Sequence, residues 1–367
     1  MNRLEGFLFL CRCLAESTDS EPPGCCLADE ITRGRIDWET VVDVASRHGI
    51  TVTLYCALRN KGLLDVLPPD LLPYLEAVHE LNGDRNRRLI DQAFEVAAIL
   101  NRAGVEPILL KGPGNLLSGL YDDPGLRIAG DLDVLVPEAR ATECFEAMTA
   151  AGYRLVDEAA RQEDVTASRG RHLPQLMSRG RVAFVELHRR APQPEGRRLL
   201  DTEDLYDHST VVTRPGASIR IPSASFRAMV AIAHAPLGLF TGLSSVMPLR
   251  DLYDVCLLGR RRDDPPDWSM IVDRFDRAGC GGWLRTCLML VERLLGLPRP
   301  DGVGLPRAAW LRRQGCLLPV RCPRVLLVAR VAAVVGTVLT RTEVGRLRRR
   351  NLARPDWYRR HMINVAR

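Results

Sequence analysis

The chain has 367 residues, 46% apolar and 26% charged, an ordinary globular composition with room for two domains or one large domain with appendages. Its 11 cysteines are scattered through a chain too large to need a disulfide framework, and Cys11-x-Cys13 and Cys25-Cys26 lack the second half of a zinc site, so reduced thiols and a cytoplasmic location are expected. Residues 307–367 hold 15 arginines against Glu343 and Asp356, a balance of +13 that leaves −7 on the first 306 residues of a chain with net charge +6: a basic tail follows an acidic body.

Residues 1–60 show short helical patterns, such as Trp38 to Ala45 ending at His48-Gly49. The apolar patch Phe7 to Leu10 is interrupted by Arg12 and followed by Glu16 and Asp19, which is not the pattern of a signal segment. Pro22-Pro23-Gly24 and Pro68-Pro69-Asp70 mark breaks. A long helix is predicted over 71–102, with Leu89, Ala93, Val96, Ala97 and Leu100 on its apolar side, ending at Ala103-Gly104.

Residues 105–110 read as a strand running directly into Lys111-Gly112-Pro113-Gly114, and the spacing predicts a helix over 115–121. A glycine-rich turn between a strand and a helix N-terminus offers unpaired amides to phosphate oxygens. The run Ile128 to Val136 reads as another strand, in which alternation points Asp131 and Asp133 to one side. Two carboxylates so close repel and raise each other's pKa unless a cation lies between them, and Mg²⁺ suits such a pair. Residues 138–151 have helical spacing up to Gly152, Tyr153 to Val156 returns as a strand, and 181–188 forms a further strand with Glu186 and His188 on one face. Between these last two, the segment from Arg161 to Arg179, with Arg169, Arg171 and His172, reads as a solvated connection or a substrate loop. The order is that of an α/β unit whose helices cover one face of a mixed sheet.

From Asp201 onward the pattern reads as helical, with Ser223 or Ser225 capping a helix to His234 and a second helix from Met247 to Val255. On that helix Arg250 and Asp251 are neighbours in sequence and meet different partners. The apolar segment 325–340 is broken by Arg330 and falls short of the roughly 20 residues a spanning helix needs, so no transmembrane segment is expected. With Arg346 to Arg350 it reads as a core helix with a solvated tail, or as a basic surface for a polyanion or anionic membrane. No regular interleaving of aromatics suggests a base-stacking platform.

Taken together, Leu110-Lys111-Gly112, Tyr121, Arg127, Gly130-Asp131-Leu132-Asp133-Val134-Leu135-Val136, Ala151-Gly152-Tyr153 and Val185-Glu186-Leu187-His188 resemble the uncharacterised nucleotidyltransferase family of the DNA polymerase β-like superfamily. The resemblance is densest over residues 105–190, with weaker helical similarity over 70–260. It implies an α+β fold: a small mixed-sheet catalytic core over 104–200, helical regions over 1–103 and 201–306, and a basic helical tail over 307–367. It also implies an enzyme that moves NMP from an NTP such as ATP to an acceptor hydroxyl and releases pyrophosphate. Asp131, Asp133 and Glu186 would be catalytic and would hold two Mg²⁺ ions, with Mn²⁺ as an alternative. Lys111, Gly112, Gly114, Arg127 and Gly130 would meet the nucleotide and its phosphates, and His188, His234, Arg250 and Asp251 would be accessory. In place of the superfamily's usual Gly-Ser or Gly-Gly phosphate turn stands Lys111-Gly112-Pro113-Gly114. The acceptor expected first is a small molecule, peptide or protein. The alternatives are RNA, such as a tRNA end held by the basic tail in the manner of a toxin, and a non-catalytic interaction module that keeps the fold.

Overall fold

The computed structural model describes residues 1–15, 27–156, 172–192, 198–234, 249–307 and 309–322. The chain divides into two compact units, Met1–Ala235 with Pro248–Pro306, and Pro236–Met247 with Arg307–Arg367. Of the second unit the structure describes one helix, Ala309–Arg321. The apolar segment 325–340, the arginine run 346–350, Pro22-Pro23-Gly24, Cys25-Cys26 and positions 161–171 lie outside the described residues. Among the described residues no helix is long and apolar enough to cross a membrane.

The first unit is an α+β fold in which a mixed seven-stranded sheet is flanked by helices. At the N-terminus, α1 (Arg3–Leu14) starts at Asn2, whose side chain accepts from the Glu5 amide while the Glu5 carboxylate accepts from the Asn2 amide. Then come α2 (Leu27–Thr32), α3 (Trp38–Arg47), begun by the Asp37 carboxylate on the Thr40 amide, and α4 (Thr51–Asn60). The predicted long helix is α5 (Leu71–Arg102). Its apolar stripe is buried against Leu109, Leu132, Val134, Val185 and Leu187 in one core, which anchors the helix along the sheet.

The strands are β1 (Ile108–Leu109), β2 (Leu132–Leu135), β3 (Arg154–Leu155), β4 (Leu176–Met177), β5 (Val185–His188), β6 (Ser209–Arg214) and β7 (Ala217–Pro222), in the order β3-β4-β5-β2-β1-β7-β6. β2 pairs with β5, and β1 with β7, in parallel; the remaining pairs are antiparallel. Leu132, Val134, Val185 and Leu187 point to the α5 core, so alternation turns Asp133, Glu186 and His188 to the opposite face. That face is also covered at one end, where Ile108 and Leu135 are fully buried. Between the strands run α6 (Lys111–Leu117) and α7 (Ala141–Ala150). After β5 come α8 (Thr202–Asp207), α9 (Ala224–His234), α10 (Leu249–Arg260), α11 (Trp268–Arg277) and α12 (Gly281–Leu295).

The structure corrects three local expectations. The segment Lys111-Gly112-Pro113-Gly114 is not a turn ahead of a helix over 115–121; it is itself the first turn of α6, because Pro113 tolerates an early helical position and the Gly114 amide already donates to the Leu110 carbonyl at 3.4 Å. The strand expected over 128–136 begins only at Leu132, because the carbonyls of Ala129 and Gly130 both turn toward Arg85 of α5. Beyond Asp201 the chain is not wholly helical: Ser209 to Pro222 forms a hairpin around Pro215-Gly216, and β7 extends the sheet by pairing with β1. Its alternating Val211, Thr213, Ile219 and Ile221 with a Pro-Gly turn is a hairpin signal outweighed by the helical segments on either side.

Candidate active site

Because β2 and β5 run parallel in register, Asp133 stands directly across from Glu186, and Leu135 from His188. Asp133 is buried, and one of its oxygens, Oδ1, receives both Lys111 Nζ at 2.8 Å and His188 Nε2 at 2.8 Å. Among the described residues no donor reaches the other oxygen, Oδ2. Burial opposes the charge of Asp133, yet its hydrogen bond to His188 and the charge of Lys111 prevail and hold its pKa down to about 2. Glu186 also stays below the ordinary carboxyl value, first through His188, 3.4 Å away, and then through Gln175, whose Nε2 donates to Oε1 at 2.5 Å. His188 therefore orients both acids at once. Its own pKa is raised, since these two carboxylates outweigh the burial that disfavours the imidazolium.

Asp131 differs from its partners. It lies at the bend just before β2, half-buried on the wall of a cleft, and its pKa is raised by burial first and then by Glu186 and Asp133, with Lys111 and Arg85 pulling the other way. Asp131 thus lacks the direct hydrogen bonds that hold Asp133 and Glu186 down. Ligand atoms of Asp133, Glu186 and His188 lie within 4.8 Å of one another. These donors fit a divalent cation, with Asp131 outside that close group on the adjoining cleft wall.

The cleft, of about 230 Å³, is lined on the strand side by Lys111, Gly130, Asp131 and Asp133 and on the helical side by Arg227, His234, Arg250 and Asp251. Lys111 is the one non-glycine residue with positive φ (53°) among the described residues. That conformation costs roughly 1–2 kcal/mol, and it is held from both sides, by the Leu110 amide on the Asp133 carbonyl and by the Nζ bond to the Asp133 carboxylate. Gly112 and Gly114 are both buried. A Cβ on Gly114 would stand 2.5 Å from the Leu109 carbonyl oxygen, so close backbone approach demands glycine there, whereas one on Gly112 would stand 2.8 Å from Nη1 of the Arg127 side chain. Gly130 is exposed with open space around it.

Arg127, expected beside the phosphates, lines the same cleft, and its guanidinium is tied into a buried network. Its guanidinium donates to Asp254 Oδ2 at 2.7 Å and to the Ile128 carbonyl at 2.6 Å, with Asp251 at 3.6 Å. Asp254 also accepts from the Tyr121 hydroxyl at 2.7 Å, and Asp251 meets His234 Nδ1 at 3.2 Å. Arg250 Nη1 donates to the Ile128 carbonyl at 3.3 Å, and its Nε lies 3.8 Å from Asp251. Thus His234, Arg250 and Asp251 all line the cleft, in a network that is buried at Asp251 and ties α10 to the chain entering the Asp131 bend.

Sequence reasoning missed Asp254, Arg227, Gln175 and Arg85. Asp254 was within reach, standing three residues after Asp251 on the same helical face. Arg227 carries no local mark; it is buried on the cleft wall, donating to Ser118 Oγ at 2.5 Å and to the Pro222 carbonyl at 3.1 Å.

No curated protein and no solved structure matches the chain. Residues 34–296, which take in all seven strands and α3 to α12 together with the acids, match the model of a family described as uncharacterised nucleotidyltransferase. The chain belongs to that family and is a nucleotidyltransferase enzyme.

Proposed function

We propose that the protein transfers NMP from an NTP to an acceptor hydroxyl with release of pyrophosphate, using divalent cations, Mg²⁺ first, held by Asp131, Asp133 and Glu186. The observation that carries this reading is the juxtaposition of these acids: Asp133 across from Glu186 in parallel register, with Asp131 on the adjoining cleft wall. When bound, such cations neutralise the attacking and leaving oxygens of an in-line displacement.

Lys111 and His188 fix the Asp133 carboxylate by gripping one of its oxygens. Glu186, kept ionised by His188 and Gln175, would help hold the cation beside the acceptor hydroxyl and assist the loss of its proton. On the far wall, Arg227 and Arg250 provide positive charge toward the β- and γ-phosphates, and Gly112, in the first turn of α6, lines the same cleft.

The test is incubation of the full chain with each α-labelled NTP, Mg²⁺ and a cell extract, followed by separation of small molecules, protein and RNA. Label is expected in a small molecule or protein, with pyrophosphate released only when the cation is present. Asp131→Asn, Asp133→Asn and Glu186→Gln should each abolish turnover while remaining folded. Near wild-type turnover in any of the three removes the mechanism, and label in RNA redirects the acceptor.

A further inference from the structure

Helix α5 faces the segments that deliver the acids with a polar row. Asn82 Nδ2 donates to the carbonyls of Gly125 (2.8 Å) and Arg127 (3.1 Å), and Asn86 Nδ2 to those of Pro124 (2.7 Å) and Arg127 (2.8 Å). Gln92 takes the amides of Val182 and Ala183 on Oε1, each at 3.1 Å, and returns Nε2 to the Ala183 carbonyl at 2.8 Å. Between these lies Arg85. One guanidinium nitrogen donates to the Ala129 carbonyl, and the other to Gly130 at 2.9 Å and Val182 at 3.3 Å.

Successive carbonyls of a strand point in opposite directions, so two neighbours that face one guanidinium cannot both lie in strand geometry. The bend at 129–131 takes Asp131 to the cleft wall instead of extending β2. The same group reaches Val182 in the segment before β5, two residues upstream of Phe184, whose carbonyl accepts from the Leu132 amide at 2.8 Å. Arginine's planar fork suits this three-carbonyl grip, which a single ammonium cannot reproduce. Arg85 is also, with Lys111, one of the two cations that relieve the acidic crowding at Asp131.

We propose that Arg85 is a positioning residue for the catalytic acids: it holds the Ala129-Gly130 bend against the approach to β5 and thereby sets Asp131 relative to Asp133 and Glu186. This rests on the nucleotidyl-transfer reading for its consequence, though the clamp itself can be measured without turnover. Arg85→Lys and Arg85→Gln in the full chain are compared with wild type by hydrogen–deuterium exchange of the peptides covering 128–135 and 182–188, by Mn²⁺ binding, and by separate kcat and KM for the NTP. Expected in Arg85→Lys are exchange at least about tenfold faster in those two peptides with α12 unchanged, Mn²⁺ affinity weakened by about 10–100-fold, and a fall in kcat with little change in KM. The lysine variant keeps the charge and guards against misfolding of the glutamine one. Unchanged exchange in both peptides overturns the clamp, and faster exchange with unchanged Mn²⁺ affinity and kcat overturns its role in positioning. If wild type binds Mn²⁺ no better than Asp133→Asn and turns over no NTP, the catalytic reading fails, while the exchange data still decide whether the clamp exists.

Discussion

Arg127 and Asp254 form a pair whose side chains are 5% and 3% exposed, and the cost of breaking it can be worked from its surroundings. Asp254→Asn keeps the shape and an acceptor for the Tyr121 hydroxyl but leaves a buried guanidinium without its nearest charge. Removing one partner of a buried pair costs about 3–5 kcal/mol. Asp251 remains 3.6 Å from Arg127, which places the loss near the bottom of that range, about 3 kcal/mol. With an m value of about 3 kcal/mol/M in urea, the midpoint moves down by about 1 M. The assay is urea unfolding followed by far-ultraviolet circular dichroism, with m compared between variants so that only stability is read. The double variant Arg127→Met, Asp254→Leu removes both charges and should lose less than the sum of the two single losses. A loss below about 1 kcal/mol in Asp254→Asn, or strict additivity in the double variant, would refute the assignment of a buried, charge-paired network.

His188→Gln removes the imidazole that grips both Asp133 and Glu186, and divalent-dependent activity should fall by about 10–100-fold while the thermal midpoint stays within a few degrees; activity at the wild-type level sinks its orienting role. Asp251 sits below the ordinary carboxyl pKa because His234 and the charge of Arg127 overcome the burial that opposes its ionisation. The unfolded chain therefore takes up the proton first, so the stabilisation is whole above about pH 4 and is lost as pH falls toward the depressed folded value. Thermal melts across that window should drop more steeply for wild type than for Asp251→Asn, and parallel curves would contradict this. Gly114→Ala meets the Leu109 carbonyl oxygen at 2.5 Å and should cost about 1–3 kcal/mol. Gly130→Ala, with nothing within 4 Å of the added carbon, should leave stability within about 0.5 kcal/mol of wild type, and equal losses in the two variants would show that the steric reading of α6 is wrong.

Side-chain alternation is a property of adjacent residues, and so the sequence by itself determined that Asp133, Glu186 and His188 would lie on faces opposite Leu132, Val134, Val185 and Leu187. The same holds for α5, whose stripe repeats often enough to show its buried side, and for the ordered motifs that marked the family. The hairpin Ser209 to Pro222 was legible in its alternation and Pro-Gly turn but was overridden by the helices around it. Only the tertiary structure decided that β2 and β5 pair in parallel with Asp133 across from Glu186, residues 53 positions apart in the chain. It also decided which partners the arginines find: Asp254 for Arg127, at a separation of 127 residues, and three backbone carbonyls for Arg85. A long guanidinium side chain carries no periodic signature, and its energy depends on which buried acceptors lie within reach once the core has closed. Local pattern thus named the acids, while packing between distant segments determined how they are held.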